Sequence, residues 1–203
     1  MNERLSHDER REQLVAAALA VALREGVEAV TIRSVAREAG VRPGIIHYVF
    51  RDKHEMLAAL SRQVAAIAST FLDDAIATGG GDIGTTMHAL ADGMWKGLEA
   101  RSHHQLLTIE IATLGARDER MRAIVLDQLR EQWGASEQYL SAAAQLSGVT
   151  YSMDVSLLAR MVSAEIDGIQ IAWMVEHDDA AAIASFHAIA DVILGTVRPL
   201  ERR

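Results

Sequence analysis

A glycine turn between two short helical patterns is the feature that most constrains the fold of this chain. Thr31 can cap the first pattern with its hydroxyl, and Val35, Ala36 and Ala39 give that pattern one apolar face. Gly40 suits the left-handed conformation that ends a helix, and a proline follows where the next helix would begin. Residues 31–50 therefore predict a helix-turn-helix, a motif typical of DNA-binding proteins.

The second helical pattern, which starts at Pro43, separates its side chains into two faces. We expect Ile45, Ile46 and Phe50 to hold it against a core. The residues left on the outward face are Arg42, Gly44, His47 and Tyr48. Arg42 could grip guanine O6 and N7 with its planar guanidinium, or pair with a phosphate, and the sequence leaves both readings open.

Composition and charge limit the remaining possibilities. The chain has 203 residues, of which 50% are hydrophobic and only 4% aromatic, with two prolines and no cysteine. This favours packed helices and excludes disulfides and thiolate chemistry. Charges run through the first thirty residues, and no uncharged apolar run approaches the roughly 20 residues that span a bilayer. We therefore expect a cytoplasmic protein with no membrane partner.

The acidic charge is unevenly distributed along the chain. The net charge is -8, but residues 1–62 hold 10 Lys and Arg against 9 Asp and Glu, while residues 63–203 hold 10 against 19. A nearly neutral N-terminal third can still present a local basic face. The overall acidity therefore does not exclude a nucleic-acid partner.

Apolar residues at three- and four-residue spacing predict an all-α fold of about nine helices. The predicted ranges are 8–24, two short helices within 31–50, 52–77, 83–100, 103–114, 118–146, 153–176 and 180–197, with a chain break at Gly79-Gly80-Gly81. The first three form a head, residues 1–51, which extends into helix 4 to about residue 62. Residues 52–203 form the body.

Several residues of the head match the signature of a known family without gaps. They are Thr31, Ala36, Ala39, Gly40, Val41, Gly44, Ile46, Tyr48, Phe50, Lys53 and Leu57. The chain resembles the tetracycline-repressor (TetR/AcrR) family of bacterial regulators, and within it the choline-responsive betaine (BetI-like) regulators. Residues 167–175 also resemble the penultimate helix of that subgroup. The resemblance implies a homodimer with a DNA-binding head joined by helix 4 to a helical ligand-binding and dimerisation body.

This resemblance gives the head a set of expected DNA-binding residues. They are Thr31, Arg33, Arg42, Pro43, Gly44, Ile45, His47, Tyr48 and Lys53. Three positions of the segment depart from the family pattern: Arg42 replaces a small hydroxyl residue, His47 a tyrosine and Val49 a histidine. The operator sequence therefore does not follow from the resemblance.

Polar and aromatic residues within the apolar helices of the body are candidates for the ligand pocket, because burying them requires a partner. They are Trp95, Glu99, His103, Glu110, Trp133, Asp167, Gln170 and Trp173. Carboxylates with tryptophans would suit a cationic effector through charge and cation–π attraction. Alternatively, these tryptophans belong to an ordinary core, and Glu99 simply pairs with His103 on a solvated helix face.

The last two predicted helices are candidates for the dimer interface, because the range 153–176 is apolar nearly all round. The expected interface residues are Gly168, Ala172, Ile183, Phe186, Ala190, Ile193, Leu194 and Val197. An ordinary monomeric core is the alternative.

Catalytic motifs are absent from the sequence. Residues 79–84 match a dinucleotide-binding fingerprint by letter, but they follow a helical pattern rather than a strand. Neither a nucleophile elbow nor paired metal-binding motifs occur, so we expect no cofactor, metal or enzymatic activity. The sequence predicts a repressor that a small molecule releases from an inverted-repeat operator. A helical binding protein or enzyme that does not bind DNA is the alternative.

Overall fold

The computed structural model describes residues 5–66 and 81–200. Within these ranges the chain forms nine α-helices and two short strands. They are α1 His7–Glu25, α2 Ile32–Glu38, α3 Pro43–Val49, α4 Lys53–Ala66, α5 Ile83–Ala100, α6 Ser102–Arg117, α7 Glu119–Ser147, β1 Val149–Tyr151, α8 Val155–Glu176, α9 Asp179–Gly195 and β2 Val197–Pro199. The predicted all-α class is confirmed. The predicted extension of helix 4 to Ala77 and the break at Gly79-Gly80 lie outside the described residues.

The first helix is fixed at both ends by its own sequence. The Ser6 hydroxyl accepts from the Glu9 amide at 3.2 Å, and the Glu9 carboxylate accepts from the Ser6 amide at 2.7 Å. This reciprocal pair satisfies two amides that a helix start would leave without partners. Gly26, with φ of 85°, ends the helix, and a 3-10 turn follows at Val27–Ala29.

The helix-turn-helix has the predicted caps. Thr31 forms a capping box with Ser34, Gly40 has φ of 66°, and Pro43 occupies the first turn of α3. The inward residues Ile46 and Phe50 are fully buried. Local capping and turn chemistry therefore determine where α2 and α3 begin and end.

The chain divides into two compact units. The first contains residues 1–67 and 103–128, and the second contains residues 68–102 and 129–203. In the first unit, α1, α2, α3 and α4 share an apolar core with α6 and the start of α7. Its fully buried members are Leu14, Val21, Val30, Val35, Ile46, Phe50, Met56, Leu60 and Met121.

In the second unit, α5, α8 and α9 pack with the rest of α7 around a second apolar core. Met87, Leu98, Ala143, Leu158 and Phe186 lie at its centre. The antiparallel pair β1–β2 was not predicted, because each strand is only three residues long and gives no periodic signal. Two further residues correct the sequence-based assignment: Ile45 is exposed rather than an anchor, and Val197 lies in β2 rather than in the last helix.

Candidate DNA-binding surface and ligand cavity

The outward face of the helix-turn-helix is accessible at all nine positions expected to bind DNA. Eight of these residues are exposed, and Lys53 is half-buried. Tyr48 is 74% exposed, and its ring contacts the edge of His7 with 5.8 Å between the ring centroids. Arg42 precedes α3 at the cap position, and its side chain does not cap the helix. The segment thus presents guanidinium, imidazole and phenol groups side by side, without burying any of them.

The opposite face of α3 attaches the surface to the head. Ile46 and Phe50 are fully buried, and the Arg11 guanidinium lies over the Phe50 ring at 4.6 Å from its centroid. Val49 is also buried, with 6% of its surface exposed. Val49, which departs from the family pattern, therefore belongs to the core of the head. It is not part of the outward surface of α3.

Gly44 lies on the outward face with open space around it. A Cβ atom built there would meet no heavy atom of the described residues within 4 Å. The packing of the chain therefore does not require a glycine. Glycine destabilises a helix relative to alanine. Its lack of a side chain is useful where another backbone must approach the helix closely.

The head is held to α6 and to the start of α7 by polar contacts within the first unit. Glu110 accepts from the Val27 amide at 2.7 Å, which satisfies the turn that follows α1. His54 Nε2 lies 2.9 Å from Asp118 Oδ2, and this hydrogen bond is the largest cause of the lowered pKa of Asp118. Ser61 donates to Gln128 at 2.6 Å.

Asp52 is both the cap of α4 and an anchor for α7. Its carboxylate accepts from the Glu55 amide at 3.0 Å and from the guanidinium of Arg120. The bond from Arg120 is the main reason that the pKa of Asp52 falls to about 2. Asp52 is therefore ionised at neutral pH and binds α4 to the first turn of α7.

An apolar cavity of about 70 Å³ lies in the second unit. Its walls come from α5, α7, α8 and α9. The lining residues are Met87, Leu90, Ala91, Met94, Ser136, Tyr139, Leu140, Val162, Ile166, Phe186, Ile189, Ala190 and Ile193. None of these side chains carries a formal charge, and the Ser136 hydroxyl already lies 3.0 Å from that of Ser163.

Of the eight residues predicted to line a pocket, the seven whose side chains are described do not line this cavity. Trp95 packs edge-on against Trp173, with 5.7 Å between the ring centroids, and Trp133 lies under the Arg160 guanidinium at 3.8 Å from its centroid. Gln170 is half-buried on α8 and Glu99 is exposed on α5. The side chain of His103 is outside the described residues. Glu110 belongs to the first unit, where it caps a turn.

Asp167, a predicted pocket residue on α8, has a half-buried carboxyl group. Burial raises its pKa, and a 3.5 Å contact from the Gln132 amide only partly opposes this effect. A half-buried carboxylate without a strong partner is unfavourable to folding when it is ionised.

The predicted interface residues are divided between the interior and the surface of the second unit. Phe186, Ala190 and Ile193 are buried and line the cavity, so the prediction for them needs correction: they are core residues of one chain. Ile183 and Leu194 are half-buried. Gly168 and Ala172 are exposed and line a second cavity, of about 220 Å³, together with Trp173. Helical spacing alone could not distinguish the inner from the outer side of an apolar helix.

An exposed apolar stripe, which was not predicted from the sequence, runs along α8. Its members recur at alternating four- and three-residue spacing: Leu157, Met161, Ala164, Gly168, Ile171 and Val175. Val175 is 78% exposed, and Val192 on α9 is 66% exposed. The heptad spacing was visible in the sequence, and it is typical of a helix that packs against a second helical surface.

Comparisons with known proteins agree with the helix-turn-helix. Residues 14–60 match the model of the bacterial regulatory proteins of the tetR family. The chain is 27% identical to the transcriptional regulator BetI of Vibrio parahaemolyticus over 161 residues, which cover 79% of this chain and 78% of that protein. It is also 27% identical to a nicotine-responsive transcriptional repressor of Paenarthrobacter nicotinovorans, over 57% of this chain and 59% of that repressor.

The fold also matches that of solved regulators. A TetR-family transcriptional regulator from Rhodococcus sp. superposes with a TM-score of 0.76 at 19% identity, covering 92% of this chain and 98% of that one. These relatives are transcriptional regulators, in agreement with the expectation that the chain is not an enzyme. No helix in the described ranges is long and apolar enough to cross a membrane. Residues 14–60 therefore carry the helix-turn-helix of the tetR family, and the chain as a whole is similar to transcriptional regulators of that family, BetI among them.

Proposed function

We propose that this protein is a cytoplasmic repressor that binds an inverted-repeat operator as a homodimer and is released by a small molecule. The single observation that carries the proposal is the exposed face of α3, which presents Arg42, Gly44, His47 and Tyr48 on a helix anchored by buried residues. We assign the head, residues 1–51 and the start of α4, to DNA binding. Residues 52–203 bind the effector and the second subunit.

On DNA, α3 would lie in the major groove, where base edges are distinguishable. Arg42 would bond to guanine or to a phosphate, and His47 would reach a base edge or a phosphate. Tyr48 and Lys53 would contact phosphates, while Thr31, Arg33, Pro43 and Ile45 would lie along the same groove. The open space around Gly44 would let the DNA backbone approach α3 closely.

The second copy would cover the exposed stripe of α8 and the adjoining part of α9. Five aliphatic side chains on these two helices, Leu157, Met161, Ile171, Val175 and Val192, are each more than 40% exposed. Gly168 and Ala172 would allow the partner helix to approach closely. Closed two-fold pairing would present two α3 helices to half-sites about one helical turn, or roughly 34–36 Å, apart.

The effector would bind in the apolar cavity of the second unit. Because none of the described residues that line the cavity is a carboxylate, its chemistry favours an uncharged ligand over the cationic one expected from the sequence. A typical ligand pocket holds about 300–1,000 Å³, so a cavity of about 70 Å³ must widen or take a small ligand. Met87 and Met94 are flexible enough to let the walls adjust.

Two independent groups of contacts suggest how binding would weaken DNA affinity. Helix α7 contributes Ser136, Tyr139 and Leu140 to the cavity, and its first turn holds α4 through Arg120 and Asp52. A ligand that displaces α7 would disturb the anchor of α4, and the two α3 helices would no longer fit both half-sites.

Selection of genomic DNA fragments by the purified protein tests the DNA-binding part of the proposal. We expect an enriched inverted repeat whose binding weakens steeply with salt, and loss of binding in the double variant Tyr48→Ala with Lys53→Ala. Recovery of no enriched site at moderate salt would contradict the repressor function. It would favour the alternative of a helical binding protein that does not act on DNA.

Filling the cavity tests the effector site. Ala91→Leu should abolish stabilisation by uncharged aromatic probes such as indole in a thermal-shift assay, while operator binding is retained. Ala135→Leu, at an exposed position of α7, is the control. Choline is the cationic comparison. Stabilisation by choline that survives Ala91→Leu would place the effector outside this cavity.

A further inference from the structure

Helices α5 and α9 are joined at their surface by four polar side chains in a reciprocal arrangement. His88 and Asp92 lie one turn apart on α5, and His187 and Asp191 lie one turn apart on α9. His88 Nε2 lies 3.3 Å from Asp191 Oδ1, and His187 Nε2 lies 3.0 Å from Asp92 Oδ1. Each imidazole thus reaches the carboxylate of the opposite helix. These four residues are called the histidine clasp below.

The two imidazole rings of the clasp face each other through their remaining nitrogens. His88 Nδ1 and His187 Nδ1 are 2.8 Å apart, the ring centroids are 5.1 Å apart, and the ring planes differ by 25°. The distance between the ring centroids is close to the sum of three distances: from one centroid to its Nδ1, from that Nδ1 to the other Nδ1, and from there to the second centroid. The two Nδ1 atoms therefore lie almost on the line between the rings and point at one another. Such an approach is favourable only when a proton lies between the two lone pairs.

The same geometry argues against a bound metal ion. Two nitrogens that ligate one tetrahedral ion direct their lone pairs at a point beside the line that joins them, rather than along it. Within residues 5–66 and 81–200, no group of three or more His, Cys, Asp or Glu side chains is placed to hold a metal ion. The clasp therefore does not have the geometry of a metal site.

Counting protons gives the charge of the clasp. Its three contacts need three protons: one on each Nε2 for the carboxylates, and one between the two Nδ1 atoms. Two neutral imidazoles carry only two. We propose that His88 and His187 share one additional proton as a pair, and that this proton fastens α5 to α9. The resulting single positive charge faces the carboxylates of Asp92 and Asp191.

The clasp weakens when the pH moves in either direction. Loss of the additional proton leaves one of the three contacts without a donor. A second additional proton places an N–H on both facing nitrogens, and the two cationic rings repel each other. We therefore expect the contribution of the clasp to stability to pass through a maximum where one proton is shared.

The clasp lies beside the proposed effector cavity. Met87 and Ala91 on α5, and Phe186 and Ala190 on α9, line the cavity and are sequence neighbours of the clasp residues. Fastening these two helices therefore also restrains two walls of the cavity. The contact between α5 and α9 does not depend on the proposed function of the protein.

A double-mutant cycle on the full chain tests the proposal. The unfolding of wild type, His88→Gln, His187→Gln and the double variant is measured in urea at fixed protein concentration, at three pH values. Unmodified histidine titrates near pH 6.5, so suitable values are about 4.5, 6.5 and 9. The rings are 41% and 34% exposed, so a moderate coupling is expected. We expect the coupling to change the unfolding constant about three- to tenfold near pH 6.5, and less than twofold at both extremes.

Ring-nitrogen NMR gives a second readout that a merely structural contact would not change. His88 should titrate in two steps coupled to His187 in the wild type, and in one ordinary step in His187→Gln. Asp92→Asn and Asp191→Asn should each make the additional proton easier to lose. His104→Gln, on α6 in the other unit, is the control and should leave the titration of His88 unchanged. A coupling that is equal at all three pH values, or a His88 titration that ignores His187→Gln, would overturn the proposal.

Discussion

The outward face of α3 and the exposed stripe of α8 are both open to solvent, but their chemistry is opposite. α3 presents Arg42, His47 and Tyr48, which water solvates well. α8 presents Leu157, Ile171 and Val175, which water solvates poorly. A polar face is well solvated in the free protein, so it can remain exposed until DNA binds. Binding of DNA to such a face depends on the salt concentration. A contiguous apolar face of this kind indicates a permanent partner.

Each of these two surfaces contains one exposed glycine. A Cβ atom at Gly44 on α3, or at Gly168 on α8, would meet nothing within 4 Å in this chain. Gly115 on α6 differs, because a Cβ atom there would lie 2.6 Å from Val125 Cγ2. Packing within the described residues therefore explains Gly115, but it does not explain Gly44 or Gly168.

The largest effect is expected from adding charge to the stripe of α8. Ile171→Glu combined with Val175→Glu should produce a monomer, because the pair of carboxylates could not be buried against a second copy. Losing the linked second head should weaken operator binding about 100-fold or more. Sedimentation velocity and fluorescence anisotropy measure the two effects. Ser141→Glu, exposed on α7, is the control, and a charged stripe that still dimerises would place the interface elsewhere.

The next largest effect is expected at the polar face of α3. Arg42→Ala should weaken operator binding by about 1–3 kcal/mol and relax the preference at one base pair if the guanidinium reads guanine. If it contacts a phosphate, binding should weaken equally for all sequences and the salt dependence should decrease. Competition with single-base operator variants separates the two cases. Arg122→Ala, an exposed arginine of α7 in the same unit, should change neither affinity nor specificity.

Gly44→Ala separates folding from DNA binding. Alanine in a helix is more stabilising than glycine by about 0.5–1 kcal/mol, so the variant should unfold at the same or a higher temperature. Its operator affinity should nevertheless fall, by about tenfold, because the methyl group occupies the space that the DNA backbone would use. Gly115→Ala is the contrasting variant and should lower the melting temperature. A Gly44→Ala protein that binds normally would show that DNA does not approach α3 at this point.

The head was more predictable than the body, because its structure follows from local rules. Thr31, Gly40 and Pro43 act on their immediate neighbours, so their roles could be derived from the residue types alone. The exposed state of Ile45 and the buried state of Val49 depend on how α3 is rotated against the other helices, which a seven-residue helix does not specify.

The body was less predictable, because its site depends on which side of each helix faces the core. Phe186 and Ala190 were assigned to a dimer interface, and they line the cavity instead. The tryptophans were predicted to line the ligand pocket because the indole N–H needs a partner when it is buried. Trp95 and Trp173 instead pack against each other. The cavity is lined mainly by methionine and aliphatic residues, which look like ordinary core in a sequence.

The smallest effect is expected at Asp167 on α8. Its carboxylate needs hydration, but the side chain is half-buried. Burial raises the pKa of this carboxyl above its ordinary value, so the ionised form that prevails at neutral pH destabilises the folded state. Asp167→Asn should therefore stabilise the protein by less than about 1 kcal/mol at pH 7, with allowance for partial exposure. The gain should shrink as the pH falls through the raised folded-state pKa and vanish below the unfolded value of about 3.9. Urea unfolding across this range, with the exposed Glu165→Gln as control, measures it. Destabilisation by Asp167→Asn at neutral pH would instead mean that the carboxylate has a favourable charged partner in the folded chain.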